Sequence, residues 1–263
     1  MTSTPTEHRP LVVLPTYNER ENIKPLLESM LEFVPELQIW VIDDNSPDGT
    51  GAVAAALAAE DRRISVIHRP CKMGLGTAYS AAFSRALEQG FNPVIQMDAD
   101  FSHNPAYLPQ LIAEVSEADI AIGSRYTEGG GTQNWPLTRR VLSRLGNLVA
   151  RIGLGLRVRD ATSGFRAYTS SALEALDLAH SQLRGYGFMI ETIFQAQARG
   201  LRVVEVPIVF VERTAGASKM TFGIAWEAFA HIARTRGRMI RGKSVLTGGR
   251  AGTQPLSQRG ASR

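Results

Sequence analysis

An α/β fold, with a mostly parallel central sheet flanked by helices, is predicted by two features of this 263-residue chain. Short apolar runs alternate with helix-patterned segments over residues 10–125, the pattern of strands joined by helical crossovers. The residues just after each apolar run are polar, and in such sheets ligands sit beyond the carboxyl ends of the strands. A composition of 44% hydrophobic and 21% charged residues supports a folded core.

Taken in order, "PLVVLPT" reads as the first strand and "NERENIKPLLESMLEFV" as the helix after it. The strand "LQIWVIDD" leads into the alanine-rich helix "GTGAVAAALAAE", with Asp48-Gly49-Thr50 turning the chain and capping that helix. "ISVIHR" is a third strand, and "GLGTAYSAAFSRALEQG" a helix whose end at Gly90 suits a left-handed cap. "PVIQMD" and "ADIAIGSR" supply two further strands, with the helix "AYLPQLIAEVSE" between them. Past residue 127 the pattern changes: "TEGGGTQNWPLTRR" reads as a mobile loop over the sheet edge, and "VPIVFVERTAGASKM" as a strand running into a glycine turn.

Two amphipathic helices are predicted in the second half. The first carries Val141, Leu142, Leu145, Leu148, Val149 and Ile152 on one stripe and Arg140, Arg144 and Arg151 on another face. The second spans 222–240, with Ile224, Trp226, Phe229 and Ile232. A basic amphipathic helix either lies on a membrane surface or packs its apolar stripe into the core and leaves the charges in water. No acidic residue follows Glu227, while eight Lys and Arg do; against a net charge of +4, the rest of the chain is net −4. Such a basic end suits an anionic membrane surface. No aromatic-basic reader motif accompanies it, so no nucleic-acid partner is expected. The first nine residues lack the apolar run of a secretory signal, and no stretch is long and apolar enough to span a bilayer. With a single cysteine, Cys71, the reducing cytoplasm is the expected compartment.

The motifs narrow the chemistry. "DDNSPDGTG" resembles a calcium loop, but its twelfth position is Ala55, which supplies no bidentate carboxylate, so that reading is rejected. "GLGTA" lacks both the full dinucleotide fingerprint and the Walker lysine. His68 and His103 are isolated, against a histidine zinc site. In "QMDADFSHNP", Asp98 and Asp100 alternate, so in an extended chain both carboxylates project to one side. A hard divalent cation, held by one or two carboxylates plus substrate phosphates, suits that pair. Arg213 and Lys219 flank a glycine turn, where a cationic loop can close over a diphosphate.

Together "VVLPTYNERENI", "VIDDNSPDGTG", "MDADFSHNP", "IGSRY", "DATSGFRAY" and "FVERTAGASKM" resemble inverting glycosyltransferases of family 2, which have the GT-A fold. Among these the polyprenyl (dolichyl)-phosphate mannose synthases, of the actinobacterial polyprenol monophosphomannose type, are the most similar. The resemblance implies GDP-mannose as donor and a polyprenyl phosphate as acceptor. It implies that Pro15, Tyr17, Glu19, Ile42 and Asp44 hold the guanosine. Asp98 and Ala99 line the ribose and diphosphate, and Asp100, with Asp98 beside it, holds Mg2+ or Mn2+. Arg125, Arg213 and Lys219 act on the diphosphate, and Arg125, Arg139, Arg140 and Arg166 are candidates for the acceptor phosphate. Where many relatives carry Gln, this chain has Ser102, which is not counted as a ligand.

The implied organisation is a disordered N-terminus at 1–9, a GT-A catalytic domain with C-terminal amphipathic helices at 10–241, and a basic, disordered tail at 242–263. The implied location is peripheral on the inner face of the cell membrane, reached directly or beside a multispanning protein of the apolipoprotein acyltransferase type. A polyprenyl-phosphate glucosyltransferase using UDP-glucose and a non-catalytic nucleotide-binding module are the alternatives.

Overall fold

The computed structural model describes residues 8–176, 178 and 185–212. Arg213, Lys219, the amphipathic segment 222–240 and the tail therefore lie outside the described residues. Seven strands form one sheet: β1 (Leu11–Thr16), β2 (Gln38–Asp43), β3 (Ile64–His68), β4 (Val94–Gln96), β5 (Ile120–Ser124), β7 (Arg166–Tyr168) and β8 (Val203–Pro207). Their spatial order is β3-β2-β1-β4-β7-β5-β8, and every pairing is parallel except those of β7, which runs antiparallel to both β4 and β5. This is the mostly parallel sheet that the alternating pattern predicts.

Both faces of the sheet are covered, which is why β1 is apolar without alternation. Leu11 and Val13 join one core with Tyr79, Phe83, Phe188 and Ile193, drawn from α3 (Leu75–Glu88) and α7 (Gly185–Ala198). Val12 and Leu14 point the other way, into a core with Ile23, Leu27 and Met30 of α1 (Arg20–Phe33) and Leu111 of α4 (Leu108–Glu114). The alanine-rich α2 (Thr50–Glu60) begins after Gly49, which takes a left-handed backbone at φ 88°. Asp48 caps its first turn by accepting from the Thr50 N–H (2.9 Å) and Oγ (2.6 Å). Gly90 also takes the left-handed conformation expected of it, at φ 72°.

Three expectations need correction, and one strand was not foreseen. The stretch 127–140 is not wholly a loop: β6 (Gly131–Gln133) pairs in parallel with β9 (Val209–Val211) as a separate two-stranded sheet. Gly130 permits this return, because a Cβ there would stand 2.5 Å from the Ser124 carbonyl oxygen. The late strand is two strands broken at Ile208, with β8 joining the main sheet and β9 leaving it for β6. The antiparallel β7, inside "DATSGFRAY", has no counterpart in the sequence reading; three buried residues are too few to set a period. Arg9, assigned to the disordered N-terminus, exchanges two backbone hydrogen bonds with Asn92 (2.8 and 3.0 Å).

The first amphipathic helix is α5 (Leu137–Leu154), and it ends at Gly155 in the left-handed conformation. Its apolar stripe does not face the core. Leu137 and Ile152 are each 72% exposed, Val141 57% and Leu145 53%, while Ser143, Asn147, Ala150 and Leu154 are buried. No helix among the described residues is long and apolar enough to cross a membrane.

Candidate active site

Strand register brings the predicted residues to one sheet edge. Pro15 and Thr16 lie opposite Ile42 and Asp43 at the ends of β1 and β2. The two loops that follow are tied together: the N–H groups of Asn18, Glu19 and Arg20 donate to Ser46 Oγ (3.2 Å), Thr50 Oγ (2.9 Å) and Asp48 Oδ2 (3.1 Å). Asn18 and Asn45 take left-handed backbone conformations at φ 62° and 56°, which asparagine tolerates better than most residues.

The two neighbouring aspartates have different roles. Asp43 is buried inside the fold and accepts from Thr16 Oγ (3.2 Å), Ser46 Oγ (2.5 Å) and the Ser46 N–H (3.2 Å). Asp44 is paired with Arg69, whose guanidinium also donates to Thr77 Oγ (2.9 Å) and the Gly74 carbonyl (3.1 Å). Arg69 therefore fixes both Asp44 and the start of α3, and sequence reasoning missed it. Its place just after β3, at the same edge, is the signal that could have found it. Across the opening, the Lys72 ammonium lies 3.9 Å from the ring centre of Tyr17. Glu19 accepts from Asn22 Nδ2 (2.9 Å).

Gly51 packs α2 against this edge. A Cβ there would stand 2.6 Å from Asp43 Oδ2 and 2.9 Å from His68 Cε1. Alanine adds up to about 1 kcal/mol of helix propensity over glycine, but overpacking against a pinned carboxylate costs about 1–3 kcal/mol. Gly51→Ala is therefore expected to lower the stability read by urea unfolding, and an unchanged or higher midpoint would contradict this packing.

The Asp98–Asp100 pair does not sit on a strand. β4 stops at Gln96, and 99–103 is a bend in which Phe101 has φ 57°. A bulky residue at positive φ is strained, and such strain collects at functional sites. Asp100 is buried and accepts from the Ser102 N–H (3.1 Å) and Oγ (2.5 Å). Ser102 thus aims the Asp100 carboxylate. The Asp98 N–H donates to His103 Nδ1 (3.3 Å). Gly164 lies beside Asp98, and a Cβ there would make an ordinary 3.5 Å contact with Oδ2. Ala99 is buried between the two.

Among the described residues, no group of three or more His, Cys, Asp or Glu side chains could enclose a metal. Two aspartates with all-oxygen donors fit a Mg2+ or Mn2+ ion that completes its shell with water and diphosphate oxygens; they do not fit a zinc site.

Arg125, at the end of β5, is buried in an ion pair with Asp160. Its N–H and Nε donate to Oδ2 (3.0 and 2.7 Å), and its Nη2 donates to Oδ1 (2.7 Å) and to Thr162 Oγ (2.8 Å). Burial pushes the Asp160 carboxyl up, but the Arg125 charge and hydrogen bonds outweigh it and hold the group below its ordinary range. The rings of Tyr126, Trp135 and Phe210 surround the guanidinium at 5.3–5.5 Å. Arg139 pairs with Glu212, the residue next to Arg213, and lies 4.1 Å above the Trp135 ring. Arg140 donates to the Trp135 carbonyl (3.1 and 3.2 Å).

Arg166 is a correction. It is fully buried in β7 and donates to the carbonyls of Ala161 (2.8 Å) and Met189 (2.9 Å), so it stays inside the core and leaves the acceptor set.

The profile of the family described as "Glycosyl transferase family 2" matches residues 11–177. The chain is 47% identical over 226 residues to the undecaprenyl-phosphate mannosyltransferase of Micrococcus luteus, covering 86% of this chain and 93% of that protein. It is 45% identical over 246 residues to the polyprenol monophosphomannose synthase of Mycolicibacterium smegmatis, covering 92% of each. Among solved structures, it resembles glucosyl-3-phosphoglycerate synthase from Mycobacterium tuberculosis in complex with Mn2+, UDP and glucosyl-3-phosphoglycerate. The TM-score is 0.65 at 20% identity, covering 88% of this chain and 81% of that one, a likeness of fold. Since the profile runs from the first strand through β7 and takes in the acidic bend, the chain belongs to glycosyl transferase family 2 and its fold is of the GT-A type.

Proposed function

We propose that the protein is an inverting mannosyltransferase that moves mannose from GDP-mannose to a polyprenyl monophosphate, giving polyprenyl-phosphate β-mannose. The observation that carries most weight is the 45–47% identity, over most of both chains, to two relatives named for mannose transfer to a polyprenol phosphate. The site supports this reading: Asp44, Asp98, Asp100 and Arg125 all follow strands at one edge of the sheet.

In this reading Pro15, Tyr17, Glu19, Ile42 and the Arg69-held Asp44 receive the guanosine, and Asp98 and Ala99 line the ribose and diphosphate. Asp100, aimed by Ser102, is the principal ligand of Mg2+ or Mn2+, with Asp98 beside it. When bound, that cation offsets charge on the diphosphate. Arg213 and Lys219 clamp the same diphosphate. Arg125, Arg139 and Arg140 are the groups offered to the acceptor phosphate. An acceptor phosphate oxygen bonds to the anomeric carbon while the bond to GDP breaks, and the electron pair leaves with GDP. The acceptor is already anionic at neutral pH, so no general base is needed. What the protein contributes is positioning and charge stabilisation.

A polyprenyl phosphate resides in a membrane, and the exposed apolar stripe of α5 supports peripheral attachment, on the inner face of the cell membrane in this reading. A multispanning partner of the apolipoprotein acyltransferase type is compatible with the same placement.

The test is transfer of radiolabelled sugar to polyprenyl phosphate from GDP-mannose and, in parallel, from UDP-glucose. Labelled lipid is expected from GDP-mannose alone. Transfer from UDP-glucose alone would reassign the donor, and no transfer from either would leave a nucleotide-binding module.

A further inference from the structure

A cavity of about 460 Å³ opens between α5 and the segment that follows β5, apart from the acidic bend. Arg144, Leu148 and Arg151 of α5 line it, with Arg159 from beyond α5 and Tyr126 and Thr127 facing them. No acidic side chain is in the wall. Arg125 also lines it, and Asp160 already balances its charge. Among the described residues, the guanidinium groups of Arg144, Arg151 and Arg159 make no hydrogen bond or ion pair, and the Arg151 Nε is buried without a partner. Three like charges around one cavity repel each other, though water screens the exposed Arg144 and Arg159, and the buried Arg151 N–H left unsatisfied is costly. A phosphate answers both problems, because guanidinium groups match its oxygens in charge and geometry.

The position on α5 identifies the source of that phosphate. At about 100° per residue, Arg140, Arg144 and Arg151 fall within about 40° of one another. That row lies between the buried side (Ser143, Asn147) and the exposed stripe (Leu137, Val141, Leu145, Leu148, Ile152). Leu148 belongs to both the stripe and the cavity wall. A helix seated flat on a bilayer puts its apolar stripe among the acyl chains and its arginine row at headgroup height.

We infer that this cavity binds the phosphate headgroup of an anionic membrane phospholipid, and so seats α5 on the bilayer in a fixed orientation. The inference rests on the proposed use of a lipid acceptor, but its test needs no catalysis. The cavity shares only the Asp160-paired Arg125 with the groups offered to the acceptor phosphate; Arg144, Arg151 and Arg159 are not among them.

The test is flotation of the full chain with phosphatidylglycerol-containing vesicles, compared with pure phosphatidylcholine vesicles. Arg144→Gln/Arg151→Gln is expected to weaken binding to the anionic vesicles about 25-fold, taking about 5-fold for each arginine at the surface. The control Arg62→Gln/Arg199→Gln removes the same charge from exposed positions outside α5 and is expected to bind as the unaltered chain does. Equal loss in both variants would mean diffuse attraction and would overturn the headgroup site. Transfer to a short-chain polyprenyl phosphate in detergent is expected to be unchanged in Arg144→Gln/Arg151→Gln. A raised KM for that acceptor would place the acceptor's own phosphate in the cavity and overturn the assignment. Inorganic phosphate is the last arm. If it raises the melting temperature through these arginines while vesicle binding is unaffected by their loss, the cavity is a soluble-anion site and the inference fails. Failure of the sugar-transfer assay with flotation intact would sink only the proposed reaction.

Discussion

Asp100→Ala is expected to lower mannosyl transfer by about 10³-fold or more. Metal-type charge stabilisation is worth several kcal/mol in a transition state, and each 1.4 kcal/mol is about tenfold in rate. Asp100 is anchored by Ser102, which donates to its Oδ1 from both backbone and side chain. Two measurements check this. The first is transfer rate with added Mg2+ or Mn2+; full activity in the variant without added cation would sink the metal assignment. The second is GDP affinity with and without a chelator: the chelator should weaken binding by the unaltered protein and leave the variant's binding where it was.

Asp160→Asn should be the most destabilising of the substitutions considered, although it changes the side-chain shape very little. It removes the carboxylate charge that balances the buried Arg125 guanidinium, a defect that costs about 3–5 kcal/mol. Against a total stability of about 5–15 kcal/mol, this is a large fraction. Replacing both partners, as in Arg125→Met with Asp160→Leu, should be far milder, since it removes the unpaired charge instead of exposing it to the core. If the single variant unfolds in urea at the same midpoint as the unaltered chain, the pair does not support the fold. The pair also sets a pH dependence. The Asp160 carboxyl is held below its ordinary value of 3.8 in the fold, so it binds fewer protons there than in the unfolded chain. Its stabilisation is complete above that ordinary value and is lost as pH falls through the lowered one. The unaltered protein should therefore lose stability below about pH 4 more steeply than Asp160→Asn does.

The placement of the candidate acidic groups was readable because sheet topology converts chain order into position. Once "VVLPT", "VIDD" and "PVIQMD" are parallel strands, Tyr17, Asp44 and Asp98 must meet at one edge. Residues acting through another residue were harder to see. Arg69 and Asp160 each act by pairing with a group far away in sequence, and no local pattern announces a partner 25 or 35 positions distant. Arg166 misled for the opposite reason: a basic residue in a site motif looks available until burial shows it held inside the core by two backbone carbonyls. The strands β6 and β7 were missed because each has only three residues and is held by its neighbours across the sheet.

The amino-acid sequence by itself determined the parallel sheet, the acidic bend after its fourth strand, and the amphipathic period of α5. It could not determine which side of α5 meets the protein. A 3.6-residue period fixes an apolar stripe and a basic row, yet a stripe is equally able to face a core or a bilayer. Only the tertiary structure decided it. Ser143 and Asn147 turn inward because Tyr126 Oη donates to Ser143 Oγ (2.7 Å) and Asn147 Nδ2 donates to Thr162 Oγ (2.9 Å), both beside the Arg125–Asp160 pair. A buried polar pair needs polar neighbours to complete its hydrogen bonds, so it takes the polar side of the helix and leaves the leucines exposed.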